Sequence, residues 1–266
     1  MSIRARSAAI KLIGEYAITL PNEIPIEDII IGQGVLFEEK SMNGADGRIM
    51  FSKKNAIIVI NSNIKDKNRR RFVIAHELGH FELHKNLERF YVCDEKSFMD
   101  FHQKGSQEAE ANNFAAELLM PTKIFQSLLK REPFSVQSII ELSCIFTTSI
   151  TSTAIKYTQY GNHPIAVFFA QNGIIKWCAK SDDFICEYNR SKGEPLHNQS
   201  VAFDSLKTKK IADKPQIVMP YVWFKDFNIS PTLYFWEQCV AIPSINAVLS
   251  FVWVSEEFSN IKYGEF

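Results

Sequence analysis

The sequence lacks any excess of charge. Thirty Lys and Arg balance thirty Asp and Glu over 266 residues, so the formal net charge is zero. That balance gives no general drive toward nucleic acid or an anionic membrane, and direct DNA binding is not expected without a local patch. Long apolar runs are missing as well. The clearest, residues 164–170 and 247–254, fall far short of the roughly 18 residues that a bilayer span needs, so no membrane crossing is expected. Cysteine is sparse and scattered: five stand at positions 93, 144, 178, 186 and 239, with no C-x-x-C pair. An odd, dispersed set suits reduced thiols in a cytosol and speaks against a disulfide framework. Cys178 and Cys186 have neither a second pair nor a nearby His to make a zinc finger, so core packing accounts for them. Arg4, Arg6, Lys11 and Glu15 interrupt the start of the chain, which therefore shows no secretory signal, and a cytoplasmic location is expected.

What is there is concentrated in residues 71–84, RFVIAHELGHFELH. Within it, His76-Glu77-Leu78-Gly79-His80 is an H-E-x-x-H string. On a helix, residues four apart share a face, with Cβ atoms roughly 5–6 Å apart, so the two imidazoles can meet one small cation. Zinc is the usual occupant of such sites and lowers the pKa of a bound water from about 16 to about 7. Glu77, between the histidines, is placed to take a proton from attacking water, which reads as metal-assisted peptide hydrolysis. Two core histidines on an ordinary helix would give the same string. The context favours the metal: Phe72, Val73, Leu78, Phe81 and Leu83 make an apolar setting, and Asp66 or Asn68 can cap a helix over about 68–84. His84 continues the face but lies one turn too far for a single ion, so it is expected to pack or hydrogen-bond beside the site. The longer string with Gly and a third His is absent, because Leu83 and Asn86 occupy those places.

A third ligand is expected from residues 107–121, QEAEANNFAAELLMP, a helix that Pro121 ends. Its apolar side is Ala111, Phe114, Ala115, Leu118 and Leu119. Glu108 and Asn112 flank that side, whereas Glu110, Asn113 and Glu117 project outward. The small Ala111 and Ala115 permit close approach to the first helix. His76, His80 and Glu108 then make a His₂Glu site with an open fourth position, Glu77 is the base, and Asn112 can accept the free ring N–H of a ligating His. The weaker alternative for Glu108 is a helix N-terminal acid favoured by the dipole.

The two stretches RRRFVIAHELGHFELH and EAEANNFAAELLMP, in this order, resemble the ImmA/IrrE metallo-endopeptidases. The strong match covers roughly residues 45–125. The resemblance implies a gluzincin-like bacterial peptidase that cuts a helix-turn-helix repressor and so releases a stress-response or mobile-element programme. It implies His76, His80 and Glu108 as ligands of Zn²⁺, or of Mn²⁺ or another divalent ion, with Glu77 as catalytic acid/base and Asn112 behind a ligand. A non-proteolytic transcription or defence regulator that acts by binding partners or DNA is the alternative.

The rest of the chain is read around that centre. The expected class is α+β, with a zincin-like domain over 1–128, a helix-turn-helix-like module over 129–161 and a GAF-like α/β sheet domain over 162–266. Residues 3–18 read as an amphipathic helix. Strands are expected near 28–31, 35–38, 48–52 and 56–61, the last as an edge that could hold an extended substrate. The run 65–71 holds five basic residues, read as a solvated face or, more sharply, as a patch for an acidic substrate or nucleic acid. Residues 85–106 are expected over the cleft, where His102 competes as a ligand and Tyr91 or His84 could donate to an oxyanion. Residues 134–146 and 149–160 suit two helices capped by Ser135 and Ser149, but Glu141 and Lys156 are the charges of 135–160, too few for a DNA reader. Strands are expected at 165–170, 174–179, 216–224, 232–242 and 247–254, with a basic loop over 207–214. All four tryptophans fall there. This part either senses a small molecule, by its weaker GAF resemblance, or supports the peptidase and docks its substrate.

Overall fold

Helix α1 (Ile3–Glu15) begins at Ser2, whose side chain accepts from the Ala5 N–H, and it buries Ala5, Ala9 and Leu12. That four-and-three spacing is the apolar stripe of a helix lying on a core. The computed structural model describes residues 2–21, 24–51, 55–85, 91–93, 106–187, 189–210, 212–225 and 234–254. The expected strand at 28–31 is instead helix α2 (Ile26–Gly32), which buries Ile26, Ile29 and Ile30. The reason is periodic. Those isoleucines recur at three and four, so they share a face only when wound, and Glu27 and Asp28 suit the first turn.

A four-stranded sheet follows, built from β1 (Leu36–Lys40), β2 (Gly47–Phe51), β3 (Ala56–Asn61) and β4 (Tyr91–Cys93). Its order is β1-β3-β2-β4. β1 runs parallel to β3, while β2 is antiparallel to β3 and to β4. Strand β3 is therefore interior, not the edge expected of it. Its run of Ile and Val is buried almost throughout, as a strand covered on both faces must be.

Helix α3 (Lys67–His84) is capped by Asp66, which accepts from the Arg69 N–H at 2.7 Å. Every residue from Val73 to His80 is buried. Helix α4 (Ser106–Leu119) packs on α3 and α1, and α5 (Thr122–Ser127) follows Pro121. Ala5, Leu12, Ile29, Ile58, Val73, Leu78, Phe114 and Leu118 belong to one core. Helices α6 (Val136–Phe146) and α7 (Ile150–Tyr160) start at Ser135 and Ser149, whose hydroxyls accept from Ser138 N at 3.2 Å and Ser152 N at 3.1 Å.

The chain divides into two compact units, residues 1–128 with 141–152, and residues 129–140 with 153–266. The helices expected as a separate module are thus shared between the units. The second unit carries an antiparallel sheet of β5 (Ile165–Gln171), β6 (Ile174–Lys180), β7 (Gln216–Val218), β8 (Phe235–Ile242) and β9 (Ala247–Val254), in the order β6-β5-β9-β8-β7. Strand β7 stops at Val218, because Pro220 opens a 3-10 turn where the sequence reading continued the strand to 224. Lys207 belongs to helix α8 (Val201–Thr208), not to a loop. One buried carboxylate fastens α8 to the sheet. Glu237 on β8 accepts from Val201 N at 3.1 Å, Ala202 N at 2.9 Å, Trp223 Nε1 at 2.8 Å and Ser250 Oγ at 2.7 Å. Burial pushes its carboxyl above the usual range, against the pull of these donors.

Candidate metal centre

Helix α3 carries His76 and His80 one turn apart, both fully buried, with their rings edge to face at 4.7 Å between centroids. Their Nε2 atoms approach to 3.0 Å. Glu108, from the first turn of α4, places Oε2 3.4 Å from His76 Nε2 and Oε1 3.3 Å from His80 Nε2. One ligand atom from each residue lies within 4.8 Å of the others, and this is the one such trio of metal-binding side chains among the described residues.

The far ring nitrogens explain what the near ones face. His76 Nδ1 lies 2.9 Å from Asn112 Oδ1, and His80 Nδ1 lies 3.2 Å from His84 Nδ1. An amide oxygen accepts, so His76 carries its proton on Nδ1, and the same assignment at His80 leaves both Nε2 lone pairs pointed at each other and at a carboxylate. Three electron-rich atoms converging in a buried space repel unless a cation sits among them. Two imidazole nitrogens and a carboxylate oxygen are the donor set of a borderline divalent metal, so the residues present fit such an ion.

Protonation states agree. Burial lowers the His80 pKa, and the neighbouring His76 adds to this against the contrary pull of Glu108. Burial would raise the Glu108 carboxyl, but its contacts with the His76 and His80 rings outweigh this and hold it well below the ordinary carboxylate range. A neutral imidazole and an ionised carboxylate are the forms that ligate.

Two glycines set the geometry. A Cβ on Gly79 would lie 3.0 Å from Phe114 Cδ1 and 3.1 Å from the Cα and O of Ala111. With Gly79 facing Ala111, α3 and α4 come close enough for Glu108 to reach both histidines. Gly47, the first residue of β2, lies under Glu77: a Cβ there would meet Glu77 Oε1 and Val73 Cγ1, each at 2.7 Å. Glu77 is itself fully buried. Neither glycine signals its role in the sequence, because each acts across a tertiary contact.

Other sequence expectations resolve differently. Glu110 does not simply face water: its Oε2 lies 3.1 Å from His84 Nε2 and 3.8 Å from Arg4 Nη1. Glu117 is buried, accepting from Thr122 N at 3.0 Å and Thr122 Oγ1 at 2.6 Å, with Arg6 at 3.8 Å. A helical projection of α4 alone finds one buried side, whereas α1 covers a second. His84 is buried beside the site, with burial lowering its pKa. The basic run is divided: Lys65 and Lys67 are exposed, as a solvated face, while the three arginines have partners within the unit. Arg69 binds Asp46 (Nε to Oδ2 3.1 Å), Arg70 binds Glu27 at 2.8 Å and also Glu39, and Arg71 donates to the Ile24 carbonyl at 3.0 Å. These three half-buried arginines tie the start of α3 to its own unit. The Tyr91 side chain and His102 lie outside the described residues. Burial pushes the Cys178 thiol up to about 12 and raises that of Cys239, so neither is a reactive thiolate.

Comparison with known proteins agrees with this centre. Residues 32–139 match the family model of the IrrE N-terminal-like domain. Metallopeptidase ImmA of Bacillus subtilis is 30% identical over 133 residues, which are 49% of this chain and 73% of that protein. An uncharacterised immunity region protein 2 of Bacillus phage phi105 is 37% identical over 93 residues, 35% of this chain, and the match spans about half (55%) of that protein's length. In shape, the chain is similar over 100% of its length to 93% of a Mycobacterium tuberculosis transcriptional regulator, at a TM-score of 0.59 and 12% identity, a likeness of fold. With its H-E-x-x-H helix crossing a helix that supplies the third donor, the chain belongs to the ImmA/IrrE metallopeptidase family.

Proposed function

We propose that this protein is a zinc-dependent endopeptidase of regulatory type, and that its substrate is a helix-turn-helix repressor in the cytoplasm. The observation that carries the reading is the convergence of His76, His80 and Glu108 within 4.8 Å, on a helix that also holds Glu77. These three residues would hold the ion, which when bound polarises a peptide carbonyl and acidifies water. Glu77 takes the proton from the attacking water and returns it to the departing amine, the work of a general base that becomes a general acid. Asn112 keeps the His76 ring oriented by accepting its Nδ1–H. The burial of Glu77, His76 and His80 keeps the charges of this reaction in a medium that screens them weakly.

What supports the repressor substrate is the relative whose name places it in a phage immunity region, together with the sequence resemblance to the ImmA/IrrE peptidases. The second unit, a five-stranded antiparallel sheet with α8 against it, is read as a GAF-like sensor or docking domain that selects when or what the first unit cuts.

Glu77→Gln is the test. The variant keeps the size of the side chain and all three ligands, so zinc content and thermal unfolding stay near wild type. Cleavage of a helix-turn-helix repressor substrate falls by about 10²–10⁴-fold, the usual contribution of a general acid/base. Full biological output from the variant would overturn the peptidase reading in favour of a regulator that acts by binding.

A further inference from the structure

Behind the ligand set, α3 carries a third histidine that the hydrolytic reading does not use. His84 is 1% exposed and sits between two polar partners. Its Nδ1 is 3.2 Å from His80 Nδ1, and its Nε2 is 3.1 Å from Glu110 Oε2. Glu110 is held in turn from α1, by Ser2 Oγ at 3.3 Å and Arg4 Nη1 at 3.8 Å, while Arg4 also donates to the Leu83 carbonyl. We propose that His84 and Glu110 are positioning residues, a relay that fixes the tautomer and ring orientation of His80. The proposal rests on the metal-site reading above.

The argument follows the protons. A histidine that ligates through Nε2 carries its hydrogen on Nδ1, and a buried N–H needs an acceptor. At His76 an amide oxygen fills that need. At His80 the neighbour is an imidazole, which accepts on Nδ1 only if its own proton is on Nε2. That proton is stable where Nε2 has an acceptor of its own, and the Glu110 carboxylate stands there. Each donor thus meets an acceptor along His80, His84 and Glu110, and the chain ends on a charge that α1 helps to balance. With both ring nitrogens engaged, His84 has none to offer a substrate oxyanion. Filling space would not require a histidine either: a leucine would pack at this depth, but it would remove the ring nitrogen that faces His80 Nδ1.

The experiment measures zinc affinity of the full-length protein by competition with a chromophoric chelator, and the visible spectrum of the Co²⁺-substituted protein. Metal-free thermal unfolding of each variant is recorded alongside. His84→Leu weakens zinc binding by about 10–100-fold, the usual cost of losing an outer hydrogen bond to a ligand, and shifts the cobalt bands. His84→Asn, whose Oδ1 can stand where Nδ1 stood, recovers most of the affinity. Glu110→Gln, which keeps an acceptor, stays closer to wild type than Glu110→Leu, and this pair decides the matter if His84→Leu does not fold. Zinc binding by His84→Leu within twofold of wild type with an unchanged cobalt spectrum overturns the relay while leaving the metal site standing. So does an Asn variant no tighter than the Leu variant. Wild-type protein that binds neither metal is the distinct result that removes the site and the relay together.

Discussion

Glu77 owes its place to a residue with no side chain. Because a Cβ on Gly47 would fall 2.7 Å from Glu77 Oε1 and from Val73 Cγ1, Gly47→Ala must push the carboxylate or the helix aside. The three atoms nearest the new methyl belong to Glu77 and Val73, so zinc affinity is expected to stay near wild type while cleavage drops by about 10²-fold, as a displacement on the order of 1 Å in a catalytic group does. Parallel zinc titration and peptide-hydrolysis assays would separate those effects, and an unimpaired rate would show that Glu77 needs no such clearance. In the second unit Glu237 plays the corresponding structural part. Glu237→Gln replaces one acceptor oxygen with an NH₂ that faces two of the four donors, Val201 and Trp223 at the Oε2 position or Ala202 and Ser250 at the Oε1 position. A loss of about 2–3 kcal/mol is expected in urea unfolding, followed by tryptophan fluorescence. The shared face of His76 and His80, with Glu77 between them, and the shared edge of Glu108 and Asn112 were readable from spacing, because a helix turns 100° per residue whatever surrounds it. Glu110 and Glu117 were misread because a projection of α4 alone shows neither α1, whose Arg4 and Arg6 approach them from about a hundred positions earlier, nor His84 and Thr122, which bond them more closely.

At the scale of elements, the centre depends on how closely α3 and α4 cross. Gly79 lies against the Ala111 backbone, so Gly79→Ala asks two helices to separate by a few tenths of an ångström. The expected outcome is a stability loss of about 1–3 kcal/mol, the ordinary cost of overpacking, together with weaker zinc binding. Calorimetry of the metal-free and zinc-loaded forms would show both, and a variant with wild-type affinity would mean that Glu108 reaches the ion with slack to spare. Helix α3 was legible to within a residue or so, from the Asp66 cap to the end of the His-rich face. Strand β3 was legible in extent but not in position, since an apolar run shows that a strand is buried without saying which neighbours bury it. Helix α2 was missed because four residues are too few to tell period two from period 3.6.

For the whole molecule, the crossing of the chain between units has a consequence for dissection. A fragment ending at residue 128 loses the 141–152 segment, in which Phe146 stacks on Phe125 at 5.7 Å and the Thr148 carbonyl accepts from Asn68 at 3.1 Å. One ending at 161 leaves Phe134 and Tyr157 without Phe251 and Trp253, whose rings lie 6.4 and 4.9 Å from Phe134. Both fragments are expected to unfold at lower temperature than the intact chain and to yield earlier to limited proteolysis. Metal acts at the same scale. An ion that binds only the folded state at a thousand times its Kd adds about 4 kcal/mol, so chelation lowers Tm by several degrees, and His80→Ala protein responds to neither zinc nor chelator.

Sequence alone determined which side chains can reach one ion, because that follows from local helical geometry and from the chemistry of imidazole and carboxylate. It also placed the caps at Ser135 and Ser149 and narrowed that of α3 to Asp66 or Asn68, since a cap is satisfied within three residues of itself. Tertiary structure decided the rest: that Glu108 meets both imidazoles, that Gly47 and Gly79 are small for a reason, and that His84 leans on Glu110. Those facts depend on contacts between segments distant along the chain, and no local period encodes them.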